Sequence, residues 1–134
     1  MTAQENTNLV KQTYEAFLRG DIEGLLKHYS NDVVWDVYGP ASVPTAGTWR
    51  GLDGLAQFFA KVDESLEAQS FEPLEFIAQD DQVAVVGQYV WRAKPTGRTF
   101  SSKWVHVVTL SDGKITRFRE FTDTAAAAAA FSGS

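Results

Sequence analysis

Apolar residues recur along the first part of the chain at intervals of three and four. Between Asn8 and Arg19 they fall at Leu9, Val10, Tyr14, Phe17 and Leu18, a spacing that gathers them into one stripe of a helix. Gly20 supplies a stop, and Asp21 caps a second helix reaching Ser30, with Ile22, Leu25, Leu26 and Tyr29 turned inward. His28 falls on the polar side of that helix, as a solvated surface residue. The run Val33 to Tyr38 (VVWDVY) is β-branched and aromatic, and reads as a short strand. Gly39, Pro40, Pro44 and Gly47 then mark a loop. Leu55, Phe58, Phe59, Val62 and Leu66 form the buried face of a third helix from about Leu52 to Leu66.

Beyond that helix the period changes to two. Phe71 to Ala78 is a strand whose Pro73 assigns it to an edge. Asp80-Asp81, Pro95-Thr96-Gly97 and Ser111-Asp112-Gly113 are turns separating Gln82–Lys94, Thr99–Leu110 and Lys114–Phe121, which together predict an antiparallel meander. Ala125 to Ala130 and Phe131 make at most a marginal helix, so residues 124–134 are expected to be a frayed tail. Three helices broken by one strand and followed by a run of strands predict an α+β fold, with helices packed on one face of the sheet.

Strand alternation places side chains on faces. Tyr89, Trp91, Trp104, His106, Phe118 and Glu120 share one face, while Val86, Val90, Val105, Val107, Ile115, Arg117, Arg119 and Phe121 share the other. A sheet apolar on both sides needs cover on both. Helices cover one side, and a second copy of the chain covers the other, which predicts a homodimer. On the first face a histidine and a carboxylate stand among tryptophans and phenylalanines. Such a pair can work as general acid and base near neutral pH, or can simply tie adjacent strands by a buried hydrogen bond.

Composition narrows the chemistry. The 134 residues fit one domain, 1–134, with a core of about 8–123. Without cysteine there are no disulfides and no thiolate nucleophile or ligand, and two histidines cannot build a multi-histidine metal site. No metal and no cofactor are therefore expected. A net charge of −5 argues against a nucleic-acid partner. No apolar run approaches the roughly 20 residues of a membrane span, and residues 1–8 (MTAQENTN) lack the parts of a signal peptide, so a cytoplasmic location without membrane attachment is expected. Nine Phe, four Trp and four Tyr are many for this length, and the parity argument puts Trp91 and Trp104 on the face of His106 and Glu120.

The order YSNDVVWDVYGP, a loop into TWRGLDGLAQFF, and a meander closing with SDGKITRFREFTD resembles the SnoaL-like branch of the nuclear-transport-factor-2-like superfamily, which also holds the ketosteroid isomerases. The resemblance runs from about Asn8 to Asp123. It implies a cone-shaped, curved antiparallel sheet wrapped around three helices (the cystatin-like fold) with an apolar pocket inside. Inward residues would be Tyr14, Trp35, Val37, Tyr89, Trp91, Trp104, Val108 and Phe118, around His106 and Glu120. The isomerase constellation is incomplete: Val37 matches its catalytic Asp, Thr13 matches its first-helix Tyr with Tyr14 adjacent, and His106 matches its protonated Asp. The epoxide hydrolases need an Arg and two Asp where this chain reads Trp104-Val105-His106. SnoaL-type polyketide cyclases fit better, since they place a His and an acidic base on the last two strands. Glu120 stands where that family has Asp.

The resemblance thus implies a cofactor-independent isomerase, cyclase or lyase acting on a small apolar carbonyl compound. Glu120 would be the base and His106 the donor to the enolate oxygen. The alternatives are a non-catalytic binding module for an apolar ligand and a dimeric assembly domain. Asp36 is read as a solvated strand residue, and Arg50 as the start of the third helix.

Overall fold

The computed structural model describes residues 1–132. Helix α1 (Ala3–Leu18) begins six residues before Leu9, the first residue of the apolar stripe, because its start is set by polar capping. Thr2 accepts from the Glu5 N–H and the Glu5 carboxylate accepts from the Thr2 N–H, which is a capping box. Helix α2 (Ile22–Leu26), capped by Asp21, stops after five residues. The predicted continuation to Ser30 is overturned by sheet pairing. Strand β1 (Tyr29–Val37) starts at Tyr29 opposite Ile115, and the His28 carbonyl accepts from the Ile115 N–H at 2.8 Å. His28 is correspondingly half-buried rather than solvated, and that burial lowers its pKa.

The Gly/Pro-rich loop is shorter than expected. It ends in strand β2 (Gly47–Arg50), which pairs antiparallel with β1 and leads directly into α3 (Gly51–Ser65). Four strands complete the sheet: β3 (Leu66–Gln79), β4 (Gln82–Ala93), β5 (Thr99–Ser111) and β6 (Lys114–Phe121). The order across the sheet is β2-β1-β6-β5-β4-β3. β3 to β6 form the antiparallel meander, and β1 joins β6 in parallel. Pro73 does sit on an edge strand, beside an irregularity in the β3–β4 register. The fold is α+β: a curved, unclosed six-stranded sheet with helices on its concave face.

A second irregularity matters more. Leu110 pairs with Ile115, but Thr109 pairs with Arg117, so one residue of β6 is extra next to the Asp112-Gly113 turn. Ile115 therefore points into the core, 1% exposed, rather than outward with Arg117. The bulge is spent before Phe118, and beyond it the alternation holds through Glu120.

The expected frayed tail is helix α4 (Thr124–Phe131). The Asp123 carboxylate accepts from the Ala126 N–H, the Thr96 hydroxyl donates to the Ala130 carbonyl, and Phe131 packs on Phe100. Tertiary anchoring supplies what six alanines alone lack. Residues 133–134 of that predicted tail lie outside the described residues. Asp36 is also not solvated. At 8% exposure it accepts from Thr48 at 2.7 Å and pairs with Arg117 at 3.2 Å, joining β2, β1 and β6. Arg50 is the N-cap residue of α3, as expected, without a side-chain cap hydrogen bond.

Candidate active site

Directly opposed positions on β5 and β6 bring His106 and Glu120 together. The His106 Nε2 lies 2.8 Å from Glu120 Oε2, with side-chain exposures of 4% and 18%. The other ring nitrogen is engaged as well: Nδ1 lies 2.7 Å from the Tyr14 hydroxyl, which α1 delivers from 92 residues away. An ionised Glu120 can only accept, so with a neutral imidazole Nε2–H donates to Glu120 and Nδ1 accepts from the Tyr14 O–H. Burial raises the Tyr14 pKa well above its ordinary value, with smaller contributions from Tyr29 and Glu120, so the phenol keeps the proton it donates. Tyr14, His106 and Glu120 form one directed chain.

The imidazole is clamped between rings. Trp104 stacks on it at 4.0 Å between centroids, and Phe118 leans on it at 4.5 Å. Phe118 is in turn stacked on Trp35 at 3.5 Å and 6°. Trp104 can lie flat because Gly87 faces it across the β4–β5 pair. A Cβ at Gly87 would come within 2.2 Å of the Trp104 ring.

Beside the chain lies a cavity of about 100 Å³. Tyr14, Trp35, Val37, Tyr89, Trp91, Val108 and Phe118 line it together with His106 and Glu120. Trp104 is the correction among the expected wall residues: it sits behind His106, against Gly87, and not on the cavity. Thr13, the position matched to the isomerase tyrosine, borders the cavity but donates to the Val10 carbonyl, and it is the neighbouring Tyr14 that reaches His106. Tyr89 and Tyr29 also carry raised pKa values through burial, so both stay neutral phenols.

Strand parity alone did not find three parts of the wall. Phe71 lies opposite Tyr89 because of the register shift between Pro73 and Glu75; the Asp80-Asp81 turn by itself would set Phe71 opposite Val90. Tyr29 was assigned to a helix. Thr124, Ala127 and Phe131 come from α4, for which Asp123 before the alanines was the available cap signal. Among the described residues, Glu120 is the one carboxylate on the wall, and neither Lys nor Arg lines it. No cluster of three His, Cys, Asp or Glu side chains able to hold a metal occurs among the described residues, and no helix there is long and apolar enough to cross a membrane.

The SnoaL-like domain model matches residues 10–118. The chain belongs to the SnoaL-like family. The SnoaL-like chain is 42% identical to an NTF2-like protein of Burkholderia xenovorans LB400, whose crystal structure superposes with a TM-score of 0.91 over 98% of this chain and 99% of that one. It is 32% identical to TerC, co-crystallized with polyporic acid, at a TM-score of 0.85 over 95% and 98% of the two chains. An uncharacterized protein of Mycobacterium tuberculosis is 28% identical over 98% of both chains. The domain match ends two residues before Glu120, so the SnoaL-like motif covers His106 but neither Glu120 nor α4.

Proposed function

We propose that this SnoaL-like chain is a general acid/base catalyst for a small, apolar carbonyl compound, of the isomerase, cyclase or lyase type. The observation that carries this reading is the Glu120 carboxylate bordering an apolar cavity with one oxygen held by His106. Oε2 is committed to His106, which leaves Oε1 for a ligand. Oε1 takes a proton from the carbon next to the carbonyl. The C–H electron pair becomes the C=C of an enolate, and the carbonyl π pair moves onto oxygen. In a β,γ-unsaturated ketone the enolate is conjugated with the neighbouring C=C, and return of the proton from Glu120 to the γ carbon moves the double bond beside the carbonyl and completes an isomerisation. Attack of the enolate carbon on a second carbonyl of the same molecule gives an aldol ring closure, in which the new alkoxide takes the proton back from Glu120. His106 acts as a positioning residue. Both its nitrogens are engaged within the protein, so the donor role toward the enolate expected for it is not open in this arrangement.

A relative co-crystallized with polyporic acid supports a small organic occupant. The test is Glu120→Gln in D2O, following hydrogen-to-deuterium exchange at the α carbon of enolisable ketones and polyketide-like diketones. Loss of exchange is expected, and unchanged exchange would remove Glu120 as the base.

One observation favours a second reading. A cavity of about 100 Å³ is below the roughly 300 Å³ at which ligand pockets begin. A larger substrate therefore needs the lining to give way. A non-catalytic module for a small apolar ligand needs less. Ligands that raise the melting temperature without any α-proton exchange would establish that reading. We also propose that the outer sheet face pairs two copies of the chain, since Val86, Val90, Val105 and Val107 are only half-buried there and Ile77 and Phe121 are exposed.

A further inference from the structure

With His106 committed on both sides, an enolate oxygen in the cavity needs another donor. The indole N–H groups of Trp35 and Trp104 are unpaired but sealed, so no ligand reaches them. Tyr89 offers what they lack. Its side chain lines the cavity together with Glu120 and Thr122. Its ring is boxed in by Trp91 at 5.8 Å, Phe71 at 6.0 Å, Phe100 at 6.3 Å and Trp104 at 6.4 Å between centroids. Beyond burial, which raises its pKa most, the hydroxyl senses the Glu120 charge, the Thr122 side chain and the Asp123 charge. Glu120 lies near the end of β6 and the other two follow that strand in the chain, so the hydroxyl end of the ring points from β4 across β5 toward β6. Thr122 favours the ionised phenol, as a donor to its oxygen does, and this leaves the phenolic hydrogen for a ligand. The contact is looser than a formed hydrogen bond, and the Tyr89 oxygen is still not one of the sealed, unpartnered atoms. It is therefore within reach of a ligand. A donor held among packed rings needs little reorganisation to meet developing negative charge.

We propose that the Tyr89 O–H is the oxygen subsite of the cavity, donating to the carbonyl oxygen of an uncharged ketone whose α carbon faces Glu120. This rests on the proposed function and adds a second catalytic residue and the class of ligand. Glu120 and Thr122, two residues apart and both on the wall, stand roughly 7 Å from each other along the chain. A ketone spans that interval, with its oxygen about 2.7 Å from the phenol oxygen and its α hydrogen against Oε1. With Glu120 as the one carboxylate and no Lys or Arg on the wall among the described residues, a neutral molecule fits and an anionic one is opposed. As Glu120 takes the α proton, the C–H pair becomes C=C and the carbonyl π pair moves onto oxygen. The O–H···O bond strengthens while the phenol keeps its proton, so Tyr89 acts in the transition state more than in the ground state.

The test uses cyclohexanone and methylenecyclohexane, two probes of nearly one shape in which an oxygen takes the place of a CH2 group. Tyr89→Phe keeps the ring and its stacking and removes the hydroxyl. The ratio of ketone to hydrocarbon affinity is expected to fall about three- to tenfold in Tyr89→Phe, the worth of one net hydrogen bond. In the infrared, the carbonyl stretch of cyclohexanone bound to the wild-type protein should lie below its position in an apolar solvent, and should return toward that position in the variant. The wild-type half of that reading stands even if the variant fails to fold. Exchange of the α proton in D2O should slow on the order of a hundredfold in Tyr89→Phe. An equal affinity ratio in both proteins, or a bound stretch that is not lowered or stays lowered in the variant, would overturn the subsite and leave the pocket and Glu120 standing. Exchange that slows no more than binding weakens would overturn the catalytic role. Failure of both probes to bind the wild-type protein would overturn subsite and pocket together. Unchanged exchange in Glu120→Gln would overturn the base, while the affinity ratio and the stretch still decide the subsite.

Discussion

Gly87→Ala is a sharp probe of how the site is held, because two opposing effects can be weighed. A methyl at this position would meet the Trp104 ring at 2.2 and 2.6 Å and the Glu72 backbone carbonyl at 2.6 Å. The carbonyl belongs to the neighbouring strand β3 and cannot swing away. Gly87 has an ordinary strand conformation, so alanine incurs no backbone strain, and restriction of the unfolded chain would favour it by about 0.4–1 kcal/mol. Overpacking costs about 1–3 kcal/mol and outweighs it, for a net loss of up to about 2.6 kcal/mol. With an unfolding entropy of about 2.1 cal/mol/K per residue, 1 kcal/mol corresponds to about 3.5 °C for a chain of this length, so the melting temperature should fall by up to about 9 °C. Thermal unfolding followed by far-UV circular dichroism measures it. Near-UV dichroism should change as well, since the displaced ring is the one stacked on His106 at 4.0 Å. Adding Trp104→Phe, a smaller ring, should make the double variant less destabilised than the sum of the two, by about 1 kcal/mol. A Gly87→Ala protein that melts higher than wild type would refute the placement of Trp104 on Gly87.

Three further outcomes are expected. Tyr14→Phe leaves His106 Nδ1 buried without a donor, at a cost of about 1–3 kcal/mol. Nitrogen-15 spectra should show a single Nε2–H tautomer of His106 in the wild type and a mixture in the variant, and two identical spectra would refute the directed chain. Tyr14, Tyr29 and Tyr89 all have pKa values raised by burial, so above pH about 10 the unfolded chain loses protons that the folded chain retains. Stability is thus unaffected by these groups below that pH and lost as pH rises, and their tyrosinate absorbance should appear only with unfolding rather than before it. Val107 sits mid-face on the outer side, between Ala84 and Arg119. Val107→Lys should convert a dimer to a monomer in sedimentation analysis, and a wild-type monomer would refute the proposed interface.

How much of this was legible in the sequence depended on which force places each residue. Alternation along each strand gives the faces of His106 and Glu120 separately, but the tight turn at Asp112-Gly113, where both residues adopt the left-handed conformation such turns need, sets a register that puts His106 opposite Arg119, and the extra residue in β6 is what brings Glu120 opposite it. Alternation failed at Ile115, one residue from the turn, because a bulge leaves no mark in the apolar pattern. Tyr29 fitted a helix period equally well, and only pairing with β6 decides for a strand. The Tyr14–His106 bond was out of reach for a different reason. Helix periodicity gives the buried side of α1, but which ring that side meets is set by tertiary packing. The alanine helix α4 carries no amphipathic period at all, and its anchors at Thr96 and Phe100 lie in other parts of the chain.

Those anchors divide the labour within the molecule. His106, Glu120 and Tyr14 stand on β5, β6 and α1, tied to one another by ring stacking and hydrogen bonds that a single substitution would disturb together. The enclosure over them is closed in part by a terminal segment whose contribution to the wall is Thr124, one alanine side chain and Phe131. Enlarging Ala127 or trimming Phe131 would resize the chamber without touching a residue of the sheet. A chain arranged in this way lets the chamber change size while the Tyr14–His106–Glu120 chain stays fixed, and α4 is the place to begin in refitting the chamber.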